Sequence, residues 1–116
     1  MSTRNFGQLG EEIARNLLIK NGYKILTRNF KSKFGEIDII ALHQNTLVFV
    51  EVKARWSKKF GLPVEAVTPW KLERIKKAAE YFCLKNPKLP KKLRIDVVAI
   101  EIENGRLISA KIIKVD

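Results

Sequence analysis

Between Phe34 and Arg55 the chain reads F-G-E-I-D-I-I-A-L-H-Q-N-T-L-V-F-V-E-V-K-A-R. Two β-branched, apolar runs flank the polar break His43-Gln44-Asn45-Thr46, which predicts a β-hairpin. A short loop centred between Gln44 and Asn45 sets the register: Asp38 falls opposite Glu51, and Glu36 opposite Lys53. Side chains alternate faces along a strand, so Leu47, Phe49, Glu51, Lys53 and Arg55 share one face, and Val48, Val50, Val52 and Ala54 the other. That register brings two carboxylates to roughly 5 Å at Cβ, with a lysine two residues further along the same face.

Like charges directly opposite one another destabilise a sheet unless they share a proton or hold a cation between them. An oxygen-only site with few carboxylates, completed by water, suits Mg²⁺ or Mn²⁺. The neighbouring Lys53 ammonium is placed to orient or deprotonate a water, or to steady the charge of a phosphoryl transition state. The constellation describes a metal-dependent phosphodiesterase. Glu-x-Lys on a strand is, taken alone, most often a solvated face. The valine-rich strand, however, reads as buried on both sides, where charges are rarely placed without a partner.

The chain's 116 residues are read as one domain with a single core, and 46% hydrophobic content excludes a disordered chain. No apolar run approaches the roughly 20 residues that span a bilayer, and the Met-Ser-Thr-Arg-Asn-Phe start lacks a signal-peptide core, so a cytoplasmic protein is expected. One cysteine, Cys83, excludes an internal disulfide or thiolate zinc cluster, and reads as a small core residue. The one histidine, His43, falls in the predicted turn and reads as a surface residue. Catalysis would therefore fall to carboxylates, lysines and arginines. The net charge of +11 exceeds what solubility requires and points to a polyanion. Nucleic acid is favoured over a membrane, because no basic amphipathic anchor is evident.

Leu9, Ile13, Ala14, Leu17 and Leu18 predict a helix over 7–21, stopped by Asn21-Gly22. Glu11 and Glu12 would fall in its first turn, where carboxylates complement the helix dipole. A strand over 23–30 follows, leading into the basic stretch Arg28, Lys31 and Lys33. After the hairpin, Trp56-Ser57-Lys58-Lys59-Phe60-Gly61-Leu62-Pro63 interleaves basic and aromatic residues, suiting either a nucleic-acid contact through Lys58 and Lys59 or packing on the domain edge. Thr68-Pro69 reads as an N-cap and first helical position, opening a helix to about residue 85. Asn86–Lys92, with two prolines, is a loop whose Lys88, Lys91 and Lys92 are further phosphate-contact candidates. Ile95–Ile102 reads as a strand, Asn104-Gly105 as a hairpin turn, and Leu107–Val115 as the returning strand. Asp96 reads as a buried acid paired with Arg94 or Lys53. The order α-β-β-β-α-β-β predicts an α/β fold, a mixed five-stranded sheet flanked by helices.

An acid on the second strand and Glu-x-Lys on the third, in this order of elements, resemble the PD-(D/E)XK superfamily and its restriction-endonuclease-like fold. The resemblance is closer to the YraN family of small candidate endonucleases. It is carried by Gly7-x-x-Gly10-Glu11-x-x-Ala14, Gly22-Tyr23-x-Ile25-Leu26-x-Arg28-Asn29 and Gly35-Glu36-Ile37-Asp38-Ile39-Ile40-Ala41. It continues through Leu47-Val48-Phe49-Val50-Glu51-Val52-Lys53-x-Arg55, Phe60-Gly61-x-Pro63-x-Glu65-Ala66-Val67 and Arg94-x-Asp96-Val97-Val98. The pattern is also similar to that of archaeal Holliday-junction resolvases, small basic dimers that cut four-way DNA. Those resolvases carry a small polar residue where this chain has Ile37, and a YraN-like tail has His and Asn where this chain ends Lys114-Val115-Asp116.

The resemblance implies Asp38 and Glu51 as metal ligands, with the Val52 carbonyl completing the site. Lys53 would position or activate the attacking water, and Glu11 would be an accessory ligand. Glu36 would pair with and tune Lys53. Arg55, on the same face, is a phosphate clamp through its bidentate fork. The function expected is a Mg²⁺- or Mn²⁺-dependent endonuclease on branched or structured DNA, with DNA favoured over RNA and a homodimer suited to two-strand cleavage. The alternatives are a non-catalytic nucleic-acid-binding module of the same fold, or a structural partner-binding protein.

Overall fold

A computed structural model of the protein describes residues 6–55 and 68–115. The predicted Trp56–Pro63 loop, with Lys58 and Lys59, lies outside the described residues. Within them the order is α1 (Phe6–Lys20), β1 (Lys24–Ser32), β2 (Gly35–His43), β3 (Thr46–Arg55), α2 (Pro69–Lys85), β4 (Leu93–Glu103) and β5 (Arg106–Lys114). The five strands form one mixed sheet in sequence order. All neighbours are antiparallel except β3 and β4, which run parallel. A parallel pair needs a crossover, and α2 is that crossover. This is an α/β architecture consistent with the restriction-endonuclease-like fold.

The sheet has a separate core on each face, and both follow from strand alternation. On one side Val48 and Val50 of β3 and Val98 and Ile100 of β4 pack with Ala14 and Leu18 of α1. On the other, Leu47 and Phe49 pack with Ile75, Ala79 and Phe82 of α2. β3 is the middle strand and is buried from Thr46 through Glu51, so a charged side chain on its α2 face sits under a helix rather than in water. Among the described residues, no helix is long and apolar enough to cross a membrane.

Local sequence explains most element ends. The β2–β3 turn is two residues, with Gln44 and Asn45 both at positive φ (49° and 60°), matching strand twist. Gly22 (φ 87°) ends α1: its N–H donates to the Ile19 carbonyl and the Tyr23 N–H to that of Leu18, the paired bonds of a Schellman cap. Thr68 caps α2, its hydroxyl accepting from the Lys71 N–H, with Pro69 next.

Two expectations are corrected. α1 begins at Phe6, so its first turn carries no acid, and Glu11 and Glu12 lie a turn further in, past the reach of the terminal dipole. His43 is half-buried at the end of β2 rather than a surface turn residue. Its ring stacks on Tyr23 at 4.0 Å, and Nδ1 lies 3.0 Å from Nη2 of Arg94. Arg94 in turn holds the fully buried Asp96 through Nε at 2.8 Å, and the Tyr23 hydroxyl donates to the same carboxylate at 2.6 Å. Asp96 is thus the structural acid expected, paired with Arg94 and not with Lys53. Burial and the hydrogen bond to Asp96 push the Tyr23 phenol up to about 12, so it stays a donor. His43 is held below its ordinary value by burial and then by the Arg94 charge.

Candidate active site

The β2–β3 ladder follows the expected register from His43↔Thr46 to Ile39↔Val50, and there it stops. Continued by one antiparallel step, the Val52 N–H would donate to the carbonyl of Ile37. Instead it donates to Oδ2 of Asp38 at 2.8 Å. A side-chain carboxylate has taken the place of a backbone acceptor, so β2 peels away from β3 at this point. The bend shows on both neighbours. Ile37 joins the same core as Ile40, which strict alternation forbids. On β1, Asn29 adopts φ 55° opposite Asp38 and drops out of the ladder.

Asp38 and Glu51 are therefore close without being a ladder pair. Burial and then the charge of Glu51 push the Asp38 carboxyl up from 3.8 to about 6, against the lowering effect of the Val52 amide. Glu11 and Glu36 add to the same push. Glu51 is 6% exposed, and two ammonium groups approach its Oε1: Lys71 at 2.9 Å and Lys53 at 3.7 Å. The two lysines divide their roles by distance. Burial and then the adjacent Lys71 lower Lys53. For Lys71 burial also opposes the charge, but its contacts with Lys53 and Glu51 outweigh it and the net shift is upward. Lys53, the more distant from Glu51, is the less firmly charge-paired of the two.

The remaining expected residues separate. Glu36 does not face Lys53. Because β2 has left β3, Glu36 pairs in register with Lys31 on β1 and is exposed at the mouth of the site. Glu11 approaches from α1 and lines a different cavity, with Gln8, Arg28 and Asn29. Its Oε1 is buried and has no hydrogen-bond partner among the described residues. Gly10 sets that approach: a Cβ there would stand 3.3 Å from Cβ of Ala54. Arg55 is largely buried and donates through Nη2 to Glu101 at 3.2 Å, while Nε and Nη1 are buried without partners among the described residues. It is half-engaged rather than an open clamp. Lys88, Lys91 and Lys92 are exposed in a loop at the opposite end of β3, where the Lys92 carbonyl accepts from the Leu47 N–H. Four residues of strand, roughly 13 Å, separate Leu47 from Glu51.

Beside the acid pair lies a cavity of about 320 Å³, whose floor includes Asp38 and Glu51 and whose walls include Phe34, Trp70, Lys71 and Arg74. Sequence reasoning missed the three α2 residues. The only local signal was that Thr68-Pro69 starts a helix there; which sheet residue its first turn meets depends on docking.

Among the described residues no cluster of three or more Asp, Glu, His or Cys converges on one point. An ion would take protein oxygens from Asp38 and Glu51, with the neighbouring Val52 carbonyl as a further candidate, and otherwise from water or substrate, which suits Mg²⁺. The raised Asp38 pKa fits a carboxylate that a bound cation would stabilise, and the Glu11 oxygen is a further acceptor without a partner among the described residues.

Residues 10–100 match a family model described as "Uncharacterised protein family UPF0102". A UPF0102 protein of Syntrophomonas wolfei is 46% identical over 103 residues, covering 89% of this chain and 90% of the relative. Another, from Caldicellulosiruptor saccharolyticus, is 50% identical over 100 residues, covering 86% and 85%. A third, from Caldanaerobacter subterraneus, is 42% identical over 112 residues, covering 97% and 92%.

Proposed function

We propose, from the premise that this chain belongs to the family UPF0102, that it is a metal-dependent endonuclease hydrolysing phosphodiester bonds in branched or structured DNA. That family is the one to which the YraN resemblance pointed. The observation that carries the reading is the Asp38–Glu51 pair: a half-buried and a buried acid brought together where β2 leaves β3, at the cost of a raised Asp38 pKa. Proteins retain such strain where it serves a site.

Asp38 and Glu51 would hold Mg²⁺ or Mn²⁺, with the Val52 carbonyl as a further oxygen and Glu11 as an accessory carboxylate through water. When bound, the ion supplies charge for the transition state and lowers the pKa of a coordinated water. Lys53, its proton loosened by Lys71, accepts a proton from the attacking water at Nζ. Lys71 keeps its own charge and neutralises the phosphate, together with Arg74 at the cavity wall. The exposed Lys88, Lys91 and Lys92, together with Lys58 and Lys59, which lie outside the described residues, bind the nucleic-acid backbone, and two copies of the chain serve two-strand cleavage.

The test uses duplex, flapped, single-stranded and four-way DNA and a structured RNA, each with Mg²⁺, Mn²⁺ or EDTA. Metal-dependent cutting that disappears in both Glu51→Gln and Lys53→Ala supports the enzyme. One observation favours a second reading, a binding module that does not cut: the Lys71 ammonium already neutralises Glu51 at 2.9 Å. Salt-sensitive binding without cleavage of any substrate would establish that alternative.

A further inference from the structure

Trp70 is 69% exposed, although it sits in the first turn of a helix whose other large apolar residues lie mostly inward. It forms a wall of the cavity that holds Asp38 and Glu51, and the next residue, Lys71, is the one that grips Glu51. The Arg74 guanidinium lies over its ring at 5.1 Å. Gly35, whose φ of 129° favours glycine, packs beside that guanidinium, within ordinary contact of it. The wall thus joins an open indole face to two cations one helical turn apart or less. The ligand that answers both features carries a flat ring and an anion a few ångströms apart.

We infer that this cavity receives a single unstacked nucleotide, its base on Trp70 and its phosphate toward Lys71 and Arg74. The inference rests on the nuclease reading above and sharpens its substrate class. A base inside a duplex has both faces covered by its neighbours, so the preferred substrate has an unpaired nucleotide beside the scissile phosphate. Stacking on an aromatic side chain tolerates any base, so the preference is for structure and not sequence. The volume of about 320 Å³ lies at the small end of ligand pockets, enough for one nucleotide and not for a helix.

The test measures equilibrium binding in EDTA, where no cleavage occurs, to a flapped DNA carrying either a base or an abasic residue at the unpaired position. Wild type, Trp70→Ala and Trp70→Phe are compared, with circular dichroism to verify that each is folded. Trp70→Ala should weaken binding of the base-containing flap about 10- to 100-fold, and Trp70→Phe should restore most of it. Binding of the abasic flap should be unchanged by either substitution. Intrinsic tryptophan fluorescence should be quenched by the base-containing flap in wild type and not in Trp70→Phe, where Trp56 remains. If Trp70→Ala binds both flaps as wild type does, or loses both equally, the stacking inference fails and the nuclease reading stands. If wild type binds none of the nucleic acids, both fail.

Discussion

Replacing Asp38 with Asn tests the acid pair through stability alone. Raising this carboxyl from 3.8 to about 6 means that folding disfavours its ionised form by about 3 kcal/mol at neutral pH. The folded pKa lies above the unfolded one, so between those values the native state binds more protons than the unfolded chain. Stability contributed by Asp38 therefore falls as pH rises through this window, and the full penalty is present above it. Asparagine keeps an oxygen for the Val52 N–H but removes the charge. The amide is the weaker acceptor, costing back about 1 kcal/mol. In EDTA at pH 7.5, Asp38→Asn should thus be more stable than wild type by about 2 kcal/mol, or about 6–10 °C in Tm for a chain of this size. Thermal unfolding by circular dichroism at pH 3 to 8 is the assay. Below pH 4 the two curves should nearly meet, because Asp38 is then neutral in wild type. Saturating Mg²⁺ should raise the Tm of wild type and leave the variant unmoved. A variant less stable at pH 7.5, or a gap that does not close in acid, would refute the argument that burial and then the Glu51 charge penalise the ionised Asp38.

Among the described residues Lys71→Met leaves the buried Glu51 with the more distant Lys53 as its one cation, so metal-free stability should fall by about 1–2 kcal/mol. Calorimetric Mn²⁺ affinity should rise, because an ion no longer competes with the ammonium; a fall would make Lys71 a support for the metal instead. Arg94→Met strands the fully buried Asp96 with the Tyr23 hydroxyl alone, and should cost about 3–5 kcal/mol by denaturant unfolding. A loss under 1 kcal/mol would mean the network contributes little. Lys88→Glu with Lys91→Glu should weaken DNA binding and flatten its salt dependence while leaving cleavage at saturating DNA intact, since that loop lies at the far end of β3. An unchanged salt slope would remove the loop from the footprint.

Much of the fold was legible because its determinants are local. The Gln44-Asn45 turn, the Asn21-Gly22 stop and the Thr68-Pro69 start each work through a few consecutive backbone torsions and hydrogen bonds. A period of two assigned Glu51 and Lys53 to the face that also carries Leu47 and Phe49, and the core follows that assignment. The hairpin register carried Asp38 to the neighbourhood of Glu51 for the same reason. Its last step failed at Asp38 itself, because a carboxylate outcompeted the Ile37 carbonyl for the Val52 amide, and periodicity contains no term for such a competition.

What the sequence alone determined is the order of the elements, the faces of the strands and the acids placed near each other by one tight turn. Only the tertiary structure decided which cations meet those acids. Lys71 lies 20 residues from Glu51 in the chain and reaches it because α2 crosses over β3 to start the parallel strand β4. The same docking opened the Trp70 face, and on the other side of the sheet strand pairing joined His43, Tyr23, Arg94 and Asp96 into one network. Contacts between distant segments depend on how two apolar faces settle against each other, and no local pattern of residues encodes that.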